Sequence, residues 1–388
     1  MTTRTVLKAR GMFAFGAIAG MLLVAGCGGD GEEGPTPLDP QEVISQSSPG
    51  VVEIVGKSGD ETFGGSGFIY DAGPPVRLLT NSHVIEGLSG IQVKVGDQLP
   101  TVAGRVVAQA PCDDVAVVEL PSPPADVTAL TLGDSDGVER GAQVTALGYP
   151  DQFQRYKQQT VSSTEGDVSN PDLVGNEISQ DLPQYPNLIA HTAALNPGNS
   201  GGPLMDEFGD VVGINTLTAA GKGNQGQYYS IDINTAKSLL PTLESGQDKS
   251  YVGWGVIPLE LIPLAVRAQD YVDTYGVDPS LAKSFALYDQ KNFGPGLYVY
   301  GTDSGSPADK KVFPGDLITA LNGTHVQTVS QVCKTLQSSS PGDTIRVSGV
   351  ALTSTPDLSD SGDTFTEEVK LPEEQVPATS TTSTTTTP

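Results

Sequence analysis

A glycine-flanked serine, three histidines and two adjacent carboxylates bound the chemistry open to this 388-residue chain. Ser200 stands in Asn196-Pro197-Gly198-Asn199-Ser200-Gly201-Gly202-Pro203-Leu204. A serine hydroxyl is a poor nucleophile at neutral pH. It needs an imidazole base poised near pH 7 and a carboxylate that fixes the imidazole tautomer. Both groups lie upstream, in a consistent order. His83 sits in Thr80-Asn81-Ser82-His83-Val84, closing the mostly apolar run Val76–Leu79, and Asp113-Asp114 heads the apolar run Val115–Val118. The glycines around Ser200 let the backbone turn tightly, so that amide N–H groups can converge on a developing oxyanion. The chemistry implied is acyl transfer to serine and then to water.

These residues need a rigid frame. From Val51 the chain reads as short β-rich runs broken by Gly, Pro and Asp: Val51–Val55, Gly67–Tyr70, Ile91–Val95, Val115–Leu120, Val144–Gly148, Val211–Ile214 and Tyr228–Ile233. Helical periodicity appears at Asn234–Leu243. Many short strands at this spacing predict an all-β sandwich or barrel. The polar, Gln-rich segment Asp151–Asn187 breaks the rhythm, and part of it reads as a mobile or functional loop. A boundary follows at Glu244-Ser245-Gly246-Gln247-Asp248, after which strands and helices mix.

The His, Asp, Ser order and the Gly-Asn-Ser-Gly-Gly-Pro-Leu string resemble the trypsin-like double β-barrel proteases, and within them the HtrA/Deg branch. Gly65-Ser66-Gly67-Phe68-Ile69, Gly148-Tyr149-Pro150 and Gly213-Ile214-Asn215-Thr216 extend the resemblance over most of residues 46–245. The resemblance implies that His83 is the general base, Asp114 the orienting acid and Ser200 the nucleophile. Backbone N–H groups of Gly198 and Ser200, with Asn199 as a further candidate, would form the oxyanion hole. Two departures stand out: Thr192 where many relatives have Asp, and Tyr228-Tyr229-Ser230 near the primary specificity pocket. Bulky tyrosines there predict small aliphatic residues on the acyl side of the cut bond.

Residues 248–372 resemble the PDZ domain of the same proteases, through Gly305-Ser306-Pro307-Ala308, Phe313-Pro314-Gly315-Asp316-Leu317-Ile318 and Asn322-Gly323. A PDZ groove adds a peptide as an extra strand and captures its terminal carboxylate on backbone N–H groups. Here Tyr251-Val252-Gly253-Trp254 would be the carboxylate loop and a helix over about Val329–Gln337 the opposite wall. The fold class expected is thus an all-β trypsin-like double barrel over residues 46–247, followed by a small α+β PDZ domain.

The termini read as addresses rather than folds. Residues 1–26 carry Arg4, Lys8 and Arg10, then an apolar run from Met12 to Ala25. That is the pattern of an export signal. The ending Leu23-Val24-Ala25-Gly26-Cys27 resembles the lipobox of bacterial lipoproteins, which implies a signal peptide over 1–26, lipidation at Cys27, a membrane anchor and an extracytoplasmic site of action. Residues 27–45 read as a tether and 373–388, almost pure Ser/Thr at the end, as a disordered tail.

Composition removes other classes. The formal net charge of −25 (21 Lys+Arg against 46 Asp+Glu) repels phosphate backbones, and no basic patch offsets it, so no nucleic-acid partner is expected. Three cysteines, none in a C-x-x-C pair, exclude a zinc module, and neither metal nor cofactor is expected. Cys112 reads as a small buried thiol; the alternative, pairing with Cys333 outside the cytoplasm, would have to join the two domains. His191 reads as a hydrogen-bonded barrel histidine and His325 as a solvated turn residue. Asp357–Glu368 partly matches a calcium-loop spacing but reads better as an acidic loop between strands. The partners expected are unfolded or exposed polypeptides at the protease and carboxyl-terminal peptides at the PDZ. The segment before Phe63 has no aromatic residue after Cys27, which leaves the oligomeric state open. The rival class is a PDZ-containing scaffold that keeps the fold but is non-proteolytic or latent.

Overall fold

The computed structural model describes residues 36–58, 61–95, 101–150, 160–175, 185–218, 226–259, 294–351 and 362–373. Residues 1–26 read as a signal segment, Cys27, residues 374–388 and the first five residues of the calcium-like stretch, 357–361, lie outside the described residues.

The first element among the described residues is a helix, Pro40–Ser47, which overlaps the end of the stretch read as tether, residues 27–45. Asp39 accepts from Glu42 N–H, Glu42 accepts from Asp39 N–H, and Pro40 opens the first turn. This is a capping box with proline at N1, and it starts a helix from sequence-local chemistry alone. Val43 is buried against the core shared by the two sheets that follow, so the chain packs on that core from before residue 46.

Seven strands follow: β1 (Val51–Ser58), β2 (Glu61–Asp71), β3 (Val76–Thr80), β4 (Ser89–Val95), β5 (Thr101–Ala103), β6 (Arg105–Ala110) and β7 (Val115–Leu120), in the sheet order β5-β4-β1-β2-β3-β7-β6. Six more close a barrel: β8 (Gln143–Gly148), β9 (Ser162–Leu173), β10 (Leu188–His191), β11 (Pro203–Met205), β12 (Val211–Thr218) and β13 (Tyr228–Asp232), in the order β10-β13-β12-β11-β8-β9. Strand β9 runs through the middle of Asp151–Asn187, so the loop expected in part of that segment does not span all of it. Its residues alternate between exposed and partly covered, so the sequence lacks the apolar run that announces a strand buried on both faces. Residues 151–159 and 176–184 lie outside the described residues.

One core runs through both halves, with Val51, Phe68 and Leu79 of the first packed with Leu147, Ile214 and Ile231 of the second. This apolar seam fixes the two sheets against each other, and the candidate catalytic residues lie along it. The helix Ile233–Glu244, capped by Asp232 on Thr235 N–H, buries Ala236, Leu239 and Leu243 on the same core.

The last sheet has β14 (Trp254–Pro258), β15 (Leu297–Thr302), β16 (Asp316–Leu321), β17 (Thr324–His325), β18 (Thr344–Ala351) and β19 (Thr364–Lys370), ordered β14-β15-β16-β18-β19 with β17 on β16. The helix Val329–Gln337, begun by a Thr328/Gln331 capping box, packs Val332 and Leu336 on it. A mostly β first part and then a small α+β domain match the fold class expected; of the double barrel expected there, the second half closes as a barrel and the first is a seven-stranded sheet among the described residues.

Cys112 and Cys333 are joined in a disulfide, both almost fully buried, which overturns the free-thiol reading of Cys112. Cys112 packs in the hydrophobic core of the second domain, a long-range fact that no local pattern encodes. The bond closes a loop across 221 positions. Cross-links of that kind typically add about 2–4 kcal/mol. Replacing both cysteines with Ser should therefore lower the melting temperature and split one thermal transition into two, one for each domain. An unchanged single transition in differential scanning calorimetry would contradict this.

Candidate active site

His83 lies on the single-turn helix Ser82–Ile85 that follows β3. Ser82 Oγ donates to Val115 O (2.9 Å) and Asn81 Nδ2 to Asp114 O (2.9 Å), fastening the turn that carries His83 to the start of β7. Asp114 immediately precedes that strand with φ 56°, a left-handed conformation that Asp adopts more readily than most residues. This turn brings the buried carboxylate under the imidazole. His83 Nδ1 lies 2.9 Å from Asp114 Oδ2, and His83 backbone N–H donates to Oδ1 at 3.0 Å. Thr216 Oγ1 (2.9 Å) and Tyr185 Oη (3.1 Å) also donate to Oδ2. Four donor groups therefore hold one carboxylate. Asp113 points elsewhere and pairs with Lys249 Nζ at 3.0 Å, which separates the two adjacent aspartates by geometry.

Burial works against protonation of His83, but the charge and hydrogen bond of Asp114 outweigh it and raise the imidazole above its ordinary 6.5. His191 behaves oppositely. It is buried on β10, 3.0 Å from Ser230 Oγ, and desolvation pushes it down to about 4, so it is a neutral barrel residue as expected. His325 is exposed, its Nδ1 against Thr319 O.

The serine loop is tied down on three sides. Ser66 N–H donates to Ser200 O (2.8 Å), Gly201 N–H to Asn215 O (2.8 Å) and Ser66 Oγ to Gly198 O (2.7 Å). Gly201 has φ 86°, and a Cβ there would stand 2.1 Å from Ser66 O, so glycine is required. The N–H groups of Gly198 and Ser200 donate to no group among the described residues. Asn199 N–H does, to Asn196 O at 3.0 Å, closing the turn, and it is removed from the set of oxyanion donors. Ser200 Oγ donates to Thr216 O (3.1 Å), and no hydrogen bond joins it to His83 among the described residues. Such bonds commonly tighten only once substrate is bound.

Tyr229 is buried in the core shared by the two halves and cannot narrow a cleft, which corrects its assignment to the specificity pocket. Ser230 bonds to Asn215 Oδ1 and His191, and the ring of Tyr228 stacks on that of His191 at 6.4 Å. Thr192 lies at the surface, accepting from Asp167 N–H at 2.9 Å.

Three contributors escaped the sequence reading. Thr216 and Ser66 stand inside quoted motifs without an assigned task. Tyr185 lies in the polar segment before β10, and its one sequence signal is an aromatic residue in a polar run. Tyr185→Phe removes one of the donors on Asp114 while keeping the ring. A buried hydrogen bond to a charged group contributes about 1.5–3 kcal/mol. The variant should therefore lose about ten- to a hundredfold in kcat/KM while folding normally; an unchanged rate constant would show that Tyr185 does not help hold Asp114.

In the second domain the structure places Tyr251 Oη on Asp303 Oδ2 (2.7 Å), buries Val252 and Trp254, and gives Gly253 a φ of 81°. A Cβ on Gly253 would meet Ser306 Cβ at 2.0 Å, so this loop also depends on glycine.

Residues 65–214 match the trypsin-like peptidase domain and residues 298–348 the PDZ domain. The chain thus combines a trypsin-like peptidase domain with a carboxyl-terminal PDZ domain. "Serine protease Do-like HtrA" of Bacillus subtilis (strain 168) is 29% identical over 329 residues, 80% of this chain and 68% of that one. "Serine protease Do-like HtrA" of Lactobacillus helveticus is 30% identical over 73% of this chain and 64% of that one. "Probable periplasmic serine endoprotease DegP-like" of Hahella chejuensis (strain KCTC 2396) is 33% identical over 72% and 52%. The chain thus spans 52% to 68% of the length of these relatives. A solved structure, "HtrA-type protease AlgW with tripeptide", aligns at 26% identity and TM-score 0.47 over 87% of this chain and 98% of that one.

Proposed function

We propose that this chain is an HtrA-like serine endopeptidase that hydrolyses peptide bonds in unfolded or exposed polypeptides, with a PDZ domain that recognises peptide carboxyl termini. The observation that carries the reading is the His83–Asp114 pair beside a glycine-bound Ser200 in a trypsin-like peptidase domain.

In the mechanism, His83 takes the Ser200 proton as Ser200 Oγ leaves Thr216 O and attacks the scissile carbonyl. Asp114 holds the Nδ1–H tautomer and stabilises the imidazolium without itself taking the proton. The N–H groups of Gly198 and Ser200 receive the oxyanion. His83 then protonates the leaving amine, and a water molecule deacylates Ser200 by the same route in reverse.

The place of action proposed is outside the cytoplasm, with an anchor through lipidated Cys27. Relatives named periplasmic support the first part, as does a buried disulfide, which persists in oxidising compartments. The lipobox-like Leu23–Cys27 supports the second.

The test is casein degradation by the purified chain beside its Ser200→Ala form. The reading predicts cleavage by the parent alone. Cleavage by both would assign the activity to something other than Ser200. A latent or non-proteolytic scaffold has one observation in its favour, the Ser200 bond to Thr216 O, and predicts cleavage by neither.

A further inference from the structure

The oxyanion donors of the mechanism are backbone N–H groups, so their aim depends on the peptide units that carry them. Glycine at 198 leaves its flanking units free to turn, and their direction has to be fixed by partners. The unit between Gly198 and Asn199 is held at both ends. Its carbonyl, Gly198 O, accepts from Ser66 Oγ at 2.7 Å, and its N–H, that of Asn199, donates to Asn196 O at 3.0 Å. This pinned unit lies between the two units that carry the Gly198 and Ser200 N–H groups. A turn of it would swing both donors.

The holds on the loop differ in kind. Asn199 N–H on Asn196 O and Gly202 N–H on Asn199 O (3.1 Å) are bonds within the loop. The Ser66 bond comes from β2, 132 positions away, and refers the loop to the first sheet. Its polarity is fixed. Tyr149 N–H donates to Ser66 Oγ at 2.8 Å, and a backbone N–H can only donate, so the single hydroxyl proton is committed to Gly198 O. Ser66 is fully buried, which makes the loss of this bond costly for both of its backbone partners.

The main chain of Ser66 adds two more ties. Its N–H donates to Ser200 O at 2.8 Å, and its carbonyl accepts from Thr80 Oγ1 at 2.7 Å. Thr80 ends β3, three residues before His83. One residue thus connects the serine loop to the strand that leads to the general base.

We propose that Ser66 is a positioning residue for the oxyanion hole: its hydroxyl holds the Gly198–Asn199 peptide so that the N–H groups of Gly198 and Ser200 converge on one oxygen. The inference rests on the endopeptidase reading and adds a residue to its machinery. Ser66 transfers no proton. Its effect falls on the stage at which the substrate carbonyl oxygen gains charge, so kcat carries it and KM does not.

The experiment compares full-chain Ser66→Ala and Ser66→Cys with the parent, after calorimetry has shown which of them fold. Two rates are followed across pH: phosphonylation of Ser200 by a fluorophosphonate probe, whose P=O oxygen stands in for the oxyanion, and casein cleavage. Outright removal of an oxyanion donor costs about 10²–10³ in kcat, and loosening the aim of two costs less, so Ser66→Ala should lose about ten- to a hundredfold in both rates. KM should stay within about twofold, and the midpoint of the acid limb, which reports His83, should not move. The S–H of Ser66→Cys is a weak donor and should recover part of the loss. If alanine prevents folding, the cysteine form decides: a rate below the parent's with an unmoved midpoint supports the proposal, and the parent's rate overturns it. A folded Ser66→Ala that keeps the parent's rates also overturns it. So does a loss carried by KM or accompanied by a shifted midpoint, since the effect would then lie at substrate binding or at His83. A parent that takes up no probe and cleaves no casein fails the endopeptidase reading before any variant is compared, so the two failures are distinguishable.

Discussion

Replacing Ser200 with Ala is expected to lower kcat for polypeptide cleavage on the order of a million-fold, and adding His83→Ala to it should cost almost nothing more. The reason is that the two side chains act as one unit. Without Oγ there is no proton for the imidazole to take, and without the imidazole the hydroxyl remains bonded to Thr216 O as a poor nucleophile. The single variants and the double variant should therefore fall to the same floor, set by the oxyanion donors and substrate binding alone. Additive losses in steady-state kinetics would mean that His83 acts on something other than Ser200.

Asp114→Asn is expected to cost about 10⁴-fold in kcat while leaving the fold intact, because the amide can donate to Nδ1 and stabilise the wrong tautomer. The pH profile gives a second readout. Asp114 holds His83 above 6.5, so the acid limb of kcat/KM in the parent should have its midpoint above that value, where the imidazole becomes neutral and able to act as a base. In the variant that midpoint should move down. The stability contribution of the same pair has the opposite sign. It is fully present below pH 6.5 and is lost as pH rises through the folded pKa, so the most active pH range is not the one in which this pair contributes most to stability. A variant whose acid limb does not move would separate Asp114 from His83.

The parts legible in the sequence were those with local causes. Val115–Leu120 reads as a strand because Val115–Val118 is an unbroken apolar run, and it forms β7 over Val115–Leu120. The helix of the second domain begins at Val329 because Thr328 and Gln331 build a capping box, and the turn at Gly201 requires a residue without a side chain. The capping box at Asp39–Glu42 is equally local, and its neighbours in a glycine- and acid-rich stretch hid it. Other features are properties of the folded chain. Tyr185 reaches Asp114 across 71 positions and Cys112 reaches Cys333 across 221, and neither spacing carries a periodicity. Asn199 drops out of the oxyanion set because its N–H closes a turn onto Asn196, a detail of backbone direction that residue types do not encode. Tyr229 turns into the core because its neighbours on β13 face the other way, a consequence of strand register.

The central claim is that Ser200 is a nucleophile activated by the His83–Asp114 pair. A fluorophosphonate probe with intact-mass and peptide mapping tests it most directly, since the probe reacts with an activated serine and needs no knowledge of the natural substrate. The account predicts one adduct, on Ser200, formed by the parent and lost in His83→Ala. No adduct, or an adduct on Ser200 that persists at the same rate without His83, would contradict it.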